Sequence, residues 1–275
     1  MKTSALANLT RDFARDGAVV IRGLLSAPEI ERLRGGIDAN LAAPSANAKV
    51  ASDPNDPGRF VEDFCTWQHN PDYRDVIFTS ALPACAAALM QSDCVRLYHD
   101  HMLTKEAGTR APTPWHQDQP YYNIDGKQVL SFWIPVDPVP RAASLDFVAG
   151  SHLGPWLMPR SFLDHQATWF PEGSLAELPD IDAAPDKHRI IGWDIEPGDA
   201  IAFHMLSLHR AAGSATRRRV FSLRCTGDDV RHAPRSWRTS PEFEGLAKRL
   251  AVGAALDDPL FPLIWAHGQA QEMPQ

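Results

Sequence analysis

Between residues 95 and 225 the chain is a succession of short β-branched or aromatic runs: "VRLYHDHMLTK", "QVLSFWIPVDPV", "SLDFVAGSH", "DAIAFHMLSLH" and "RVFSLRCTG". Gly- and Pro-containing turns separate them. Strands at such spacing restrict the fold to a sandwich or a barrel. Upstream, "LTRDFARDGAVVIRGLLSAPEIERLRGGIDANL" reads as a short helix, a turn at Gly17, a strand over Ala18–Ile21 and a second helix. Ser26 is the expected N-cap, and Glu29 three residues later completes a capping box. Pro28 then falls in the first helical turn, where its missing N–H costs no intrahelical bond. Residues 43–60, rich in Pro, Asp and Asn, read as a surface loop, and "PACAAALMQSD" as a short buried helix. Residues 153–190 lack clear periodicity and are long for a structureless loop, so a lid or binding insert is expected there. No linker divides the chain. It reads as one domain over residues 1–275, with a β core at about 95–225.

Composition narrows the function classes. A formal charge of -7 argues against a nucleic-acid binder, which needs a basic face. The cysteines at 65, 85, 94 and 225 form no CxxC pair and suit reduced thiols in a cytosol. With no apolar run of signal-peptide or transmembrane length, a cytoplasmic protein without a membrane partner is expected. No GxSxG elbow, HExxH helix or P-loop is present, so serine hydrolase, zincin and NTPase functions find no support.

The segment "APTPWHQDQPYY" at 111–122 carries the chemistry. On a strand His116 and Asp118 share a face, and a metal ion is one reason to aim an imidazole and a carboxylate at one point. Further on, "DAIAFHMLSLH" reads as a single strand after the turn "EPGD". Alternation puts Ile201, Phe203, Met205, Ser207 and His209 on one face, and His204, Leu206 and Leu208 on the other. His209, at the end of the run, is the candidate third ligand. His204 competes with it from the opposite face. A His-x-Asp pair with one later His is the 2-His-1-carboxylate set, which holds Fe(II) and leaves open positions. A structural zinc site would usually add thiolates and close its fourth position. Within "RRRVFSLR", Arg218, Val220, Ser222 and Arg224 share one face; Arg219, Phe221 and Leu223 share the other. A guanidinium there suits bidentate capture of a carboxylate, with Arg218 the first candidate and Arg219 its rival. Trp133 and Phe147 fill core or line the pocket.

These motifs resemble the phytanoyl-CoA dioxygenase family of Fe(II)/2-oxoglutarate-dependent oxygenases. The matching stretches are "DGAVVIRGLLSAPEIERLR", "DHMLTKEAG", "PTPWHQDQPYY", "LSFWIPVDPV", "LDFVAGSH", "EPGDAIAFHMLSLH" and "RRRVFSLR". The resemblance implies a double-stranded β-helix (jelly-roll) with the metal near one mouth. It implies His116, Asp118 and His209 as iron ligands and Arg218, or Arg219, on the distal carboxylate of 2-oxoglutarate. Ser222 is a possible helper there, and Trp133 a wall of that pocket. Dioxygen would take the remaining metal position. Oxidative decarboxylation to succinate and CO2 would then drive hydroxylation of a small organic substrate. Asp118 favours hydroxylation, because related halogenases carry a small residue in its place. Gln117, Tyr121, Tyr122, His101, Arg141, Arg160 and Arg224 are candidate substrate contacts. The chain departs from the family pattern at "RAAS", where a Gly-rich turn is common, and at Arg210, where a small residue is usual. Two other functions could use the same ligands: a cupin-like metal isomerase or hydrolase without a keto acid, and a metal-retaining binding protein without turnover.

Overall fold

The computed structural model describes residues 3–110, 112–158 and 175–268, and it is mainly antiparallel β with helices against one side. The helices are α1 (Thr3–Asp16), α2 (Ala27–Ala42), α3 (Pro71–Thr79), α4 (Leu82–Met90) and the single turn α5 (Leu246–Arg249). The N-terminal strands are β1 (Ala18–Ile21), β2 (Lys49–Val50), β3 (Phe60–Phe64) and β4 (Cys94–Lys105). Next come β5 (Thr113–His116), β6 (Ile124–Asp125), β7 (Val129–Pro135), β8 (Leu145–Val148) and β9 (Ile190–Ile191). The C-terminal strands are β10 (Ala200–Phe203), β11 (His209–Ala211), β12 (Arg218–Thr226), β13 (Arg231–His232) and β14 (Leu263–Ala266).

Two sheets face each other. The larger runs β1-β10-β7-β12-β4-β3-β2, with β14 paired to β4, and the smaller runs β5-β11-β8-β9. They are separate hydrogen-bonded sheets, so the described strands form no closed barrel. Strands β7 and β12 are buried on both faces; β7 is nearly all apolar, whereas β12 alternates apolar residues with Arg218, Ser222 and Arg224. On one face Phe132, Ile134, Phe221 and Leu223 pack with Leu33 and Ile37 of α2 and with Tyr73, Val76 and Ile77 of α3. On the other, Trp133 and Val220 pack with Phe203 and with Leu145, Phe147 and Ala211 of the small sheet. The expected β core coincides with β4 through β12, and the strand after Gly17 extends the large sheet alongside β10.

The local signals upstream act as their chemistry dictates. The Glu29 carboxylate accepts the Ser26 N–H at 2.6 Å, closing the N-terminus of α2. Helix α3 starts at Pro71, with the Asn70 side chain accepting from Tyr73 N–H at 3.1 Å. That same Asn70 donates to the Gly36 carbonyl of α2 at 2.9 Å. The two helices are close enough there that a Cβ on Gly36 would stand 2.8 Å from the Tyr73 ring.

Three expectations need correction. The run 199–209 is not one strand: β10 ends at Phe203, the chain turns, and β11 begins at His209 in the other sheet. The turn closes through Ser207 N–H to His204 O at 2.8 Å. Asp118 is not on a strand either; β5 ends at His116, and Asp118 opens a 3₁₀ turn at φ -74°, ψ -46°. Residues 43–60 are more than a surface loop, because Lys49 and Val50 form β2 and pair with β3. Of the expected insert at 153–190, residues 159–174, with Arg160, lie outside the described residues.

Gly36→Leu forces a side chain into the α2–α3 crossing and should cost about 1–3 kcal/mol in urea unfolding. An unchanged midpoint would contradict the close approach of these helices.

Candidate metal centre and its cavity

Cross-strand register builds the centre. His209 of β11 and His116 of β5 are directly opposed partners, so their side chains leave the ladder on the same face. Their ring centroids are 4.1 Å apart. Asp118 reaches the same point from the turn after β5, because its N–H and that of Gln119 both donate to the Met205 carbonyl, at 2.8 and 3.0 Å. One ligating atom from each of His116, Asp118 and His209 lies within 4.8 Å of the others, and all three residues are buried. Asp118 Oδ1 is 3.5 Å from His116 Nε2 and 3.8 Å from His209 Nε2.

Hydrogen bonding presets these atoms. His116 Nδ1 contacts the Pro114 carbonyl at 2.8 Å, and His209 Nδ1 the Ser207 carbonyl at 2.9 Å. A carbonyl only accepts, so the proton sits on Nδ1 and the Nε2 lone pair points inward. Burial, with His116 beside it, pushes the His209 pKa down to about 3, which keeps that ring neutral at ordinary pH. Asp118 Oδ2 accepts from Ser131 Oγ at 3.0 Å and from Arg224 Nη2 at 3.3 Å. Burial alone would raise the Asp118 pKa, but the Arg224 charge and the two neighbouring imidazoles, His116 and His209, together outweigh it and hold the carboxyl below the usual range. Two imidazoles and one ionised carboxylate therefore converge, and this donor set fits a divalent ion with imidazole and carboxylate preferences. His204 is excluded as a competitor. Its Nδ1 accepts from Leu206 N–H at 3.0 Å and its Nε2 meets the Lys127 carbonyl at 2.9 Å, so both ring nitrogens are engaged.

The three residues line a cavity of about 360 Å³ between the sheets. Arg218 lines it too and is buried, with an ionic partner for its guanidinium absent among the described residues. It donates to the Ala143 carbonyl and lies 5.6 Å from the Trp133 ring centre. Burial pushes its pKa down to about 10, still charged at neutral pH. Arg219 faces away, bound to Asp137 at 2.7 Å and Asp38 at 3.0 Å. Alternation along β12 thus separates the two candidates. Trp133 and Ser222 line the cavity; the Ser222 hydroxyl donates to the Phe132 carbonyl and accepts from Arg224. Phe147 stacks on the His209 ring at 5.7 Å.

The remaining candidates divide. Tyr121, Tyr122, His101 and Arg224 line the cavity, although Arg224 is tied to Asp118, Ser222 and the Tyr122 hydroxyl. His101 Nε2 meets Glu62 Oε2 at 3.1 Å. Gln117 does not line it. Its side chain braces backbone groups, donating to Leu206 O at 2.9 Å and accepting from Leu157 N–H at 2.7 Å. Arg141 lies outside it, on Asp146, which also binds Arg210. Both departures from the family pattern therefore meet at Asp146, away from the cavity wall.

Sequence reasoning missed Lys49, Glu62, Phe64 and Lys105, together with Arg238 and Ser240, which also line the cavity. For Lys105 a signal existed: counting by two from His101 along β4 reaches Leu103 and then Lys105. Its ammonium donates to the Ala212 carbonyl at 3.0 Å. Burial, then the Arg218 charge opposite, push its pKa down to about 7.

A model of the phytanoyl-CoA dioxygenase family matches residues 13–220. The chain belongs to that family. Among solved structures, the non-heme alpha ketoglutarate dependent epimerase SnoN from nogalamycin biosynthesis is 21% identical, at TM-score 0.76, over 98% of this chain and 100% of that one. The carbocyclase SnoK from the same biosynthesis is 21% identical, at TM-score 0.71, over 96% of each chain. EctD from S. alaskensis, solved with 2-oxoglutarate and 5-hydroxyectoine, is 20% identical, at TM-score 0.59, over 82% of this chain and 76% of that one. No curated protein sequence matches. The phytanoyl-CoA dioxygenase fold here is the expected jelly-roll, with helices flanking two antiparallel sheets.

Asp118→Ala strands the buried Arg224 charge, so the metal-free protein should lose about 3–5 kcal/mol in chemical denaturation. Adding Arg224→Met should recover most of that loss. A neutral single variant would contradict the buried pairing.

Proposed function

We propose that this chain is a non-haem Fe(II)- and 2-oxoglutarate-dependent oxygenase that hydroxylates a C–H bond of a small organic substrate. One observation carries the proposal: the buried His116–Asp118–His209 cluster shares a cavity with Arg218, a buried cation facing into it. His116 Nε2, Asp118 Oδ1 and His209 Nε2 would hold the iron, and Arg218 would hold the distal carboxylate of 2-oxoglutarate. Iron with 2-oxoglutarate and dioxygen supplies, when bound, an oxidant able to take hydrogen from a C–H bond, with release of succinate and CO2.

The residues of the chain do the positioning. Arg218 gives a charge-assisted contact of defined direction, with Trp133 as a flat wall beside it. Phe203 and Phe147 pack on His209 and limit water at the ligand face. The carboxylate of Asp118 stays ionised through Arg224, which favours metal retention over protonation. Leu103, Phe64 and Tyr121 offer apolar surface for a substrate on the cavity wall. The buried guanidinium facing the cavity favours a keto-acid cosubstrate over the isomerase or hydrolase reading. SnoN is an epimerase and SnoK a carbocyclase, so product analysis decides the fate of the substrate after C–H attack.

Anaerobic addition of Fe(II) and 2-oxoglutarate should give a weak visible charge-transfer band. Arg218→Ala should raise the 2-oxoglutarate concentration that half-saturates it by on the order of 10²-fold, with iron affinity preserved. Arg219→Ala should leave that titration within about twofold. The reverse pattern, or no band with iron bound, would contradict the proposal.

A further inference from the structure

The large sheet presents a second imidazole–carboxylate pair to the cavity that holds the metal ligands. His116 and His209 belong to β5 and β11 of the small sheet, whereas His101 of β4 and Glu62 of β3 line the same cavity from the large one. Register brings the pair together. Across the β3–β4 ladder Phe64 is opposed to His101 and Glu62 to Leu103, so these four side chains share the cavity face. The Phe64 ring stacks on the imidazole at 4.0 Å between centroids, and Glu62 Oε2 lies 3.1 Å from His101 Nε2. Both members of the pair are buried.

This contact fixes which ring nitrogen is available. A carboxylate only accepts, so Nε2 carries the proton and Nδ1 keeps its lone pair. Burial, working against the Glu62 contact, pushes the His101 pKa down, and the ring stays neutral. Nδ1 bonds to no described residue, yet it is not sealed off as His99 Nε2 is; it keeps accessible surface on a side chain that borders the cavity. An open acceptor on a cavity wall takes a donor from whatever fills the cavity. Charge selects that donor. Among the described residues five lysine and arginine side chains line the cavity against two carboxylates, Glu62 and Asp118. That excess, with a divalent ion added to it, disfavours an ammonium and leaves a neutral hydroxyl as the fitting donor. Leu103 and Phe64, on either side of His101, suit a hydroxyl carried on an apolar skeleton.

We propose that His101, oriented by Glu62, anchors a hydroxyl group of the substrate, which donates to Nδ1 while a C–H bond of the same molecule faces His116, Asp118 and His209. The assignment rests on the oxygenase reading of this cavity. The substrate is then a hydroxylated, largely apolar molecule that reaches from the large sheet to the small one. Glu62 is a positioning residue, acting through the imidazole it holds.

The test uses full-length protein labelled with ¹⁵N-histidine and loaded with Zn(II) and N-oxalylglycine. Before any probe is added, the His101 proton should sit on Nε2, and Glu62→Ala should let it exchange between the two nitrogens. The probes are 4-methylphenol, 4-methylanisole, in which a methyl group replaces the hydroxyl proton, and 4-methylbenzylammonium. The phenol should shift the His101 Nδ1 resonance in a saturable way, and the other two should leave it in place. His101→Phe, which keeps a ring at that position, should weaken phenol binding roughly fivefold, one hydrogen bond's worth, and leave anisole binding unchanged. A proton found on Nδ1, an Nδ1 signal unmoved by the phenol or moved by the ammonium, or equal losses for phenol and anisole would overturn the anchor. The Fe(II)/2-oxoglutarate band is read on the same wild-type protein. Its presence with no Nδ1 shift defeats the anchor alone, whereas an Nδ1 shift without the band defeats the oxygenase proposal and leaves the hydroxyl site standing.

Discussion

The opposition of His116 and His209 across the β5–β11 ladder is the constraint on which the site depends. In an antiparallel pair, opposed residues share a face, so two imidazoles are brought together by backbone register before any metal is considered. The carboxylate arrives differently. Asp118 is pinned by the Met205 carbonyl, which belongs to the turn that leads into β11, so the same turn locates both His209 and Asp118. The Gln117 side chain, holding Leu206, makes that turn rigid relative to β5. A residue expected to meet substrate is instead part of the frame.

Charge is arranged along the large sheet in the same register. On the cavity face of β12, Arg218, Ser222 and Arg224 succeed one another at every second or fourth position. Arg224 neutralises Asp118 at the metal end, and Arg218, opposite Lys105, leaves positive charge at the other. A ligand with a carboxylate far from its metal-binding end matches that separation. The opposite parity sends Phe221 and Leu223 into the helix-packed core, with the Phe221 ring centroid 4.6 Å from that of Tyr73. One strand therefore serves chemistry on one face and stability on the other.

The clustering of His116, Asp118 and His209 was legible because it lies in residue type and spacing, and alternation along β12 was legible because that strand runs unbroken from Arg218 to Thr226. Counting by two failed where the chain changes sheets. Across 199–209 it placed Ile201, Phe203 and His209 together rightly, but Met205 packs with Tyr98 and Tyr121, and the Ser207 hydroxyl donates to the Gly17 carbonyl. Nothing in an alternating apolar run marks a crossover between sheets; the closing bonds come from His204 and from Gly17, far away in sequence. The cavity's second wall was hidden for a related reason. Lys49 sits in a Pro- and Asp-rich stretch whose short strand exists only because β3 is there to pair with it. Glu62 has an acidic sequence neighbour in Asp63, and pairing to β4 is what turns one inward and the other toward Asn40 and Ser45.

Diffraction from crystals grown with Zn(II) as an oxygen-inert substitute for iron, measured at the zinc absorption edge, tests the central claim most directly. One anomalous peak should lie about 2.0–2.2 Å from His116 Nε2, an Asp118 carboxylate oxygen and His209 Nε2. Zinc bound elsewhere, or held by only one of these residues with the other two turned away, would contradict the account.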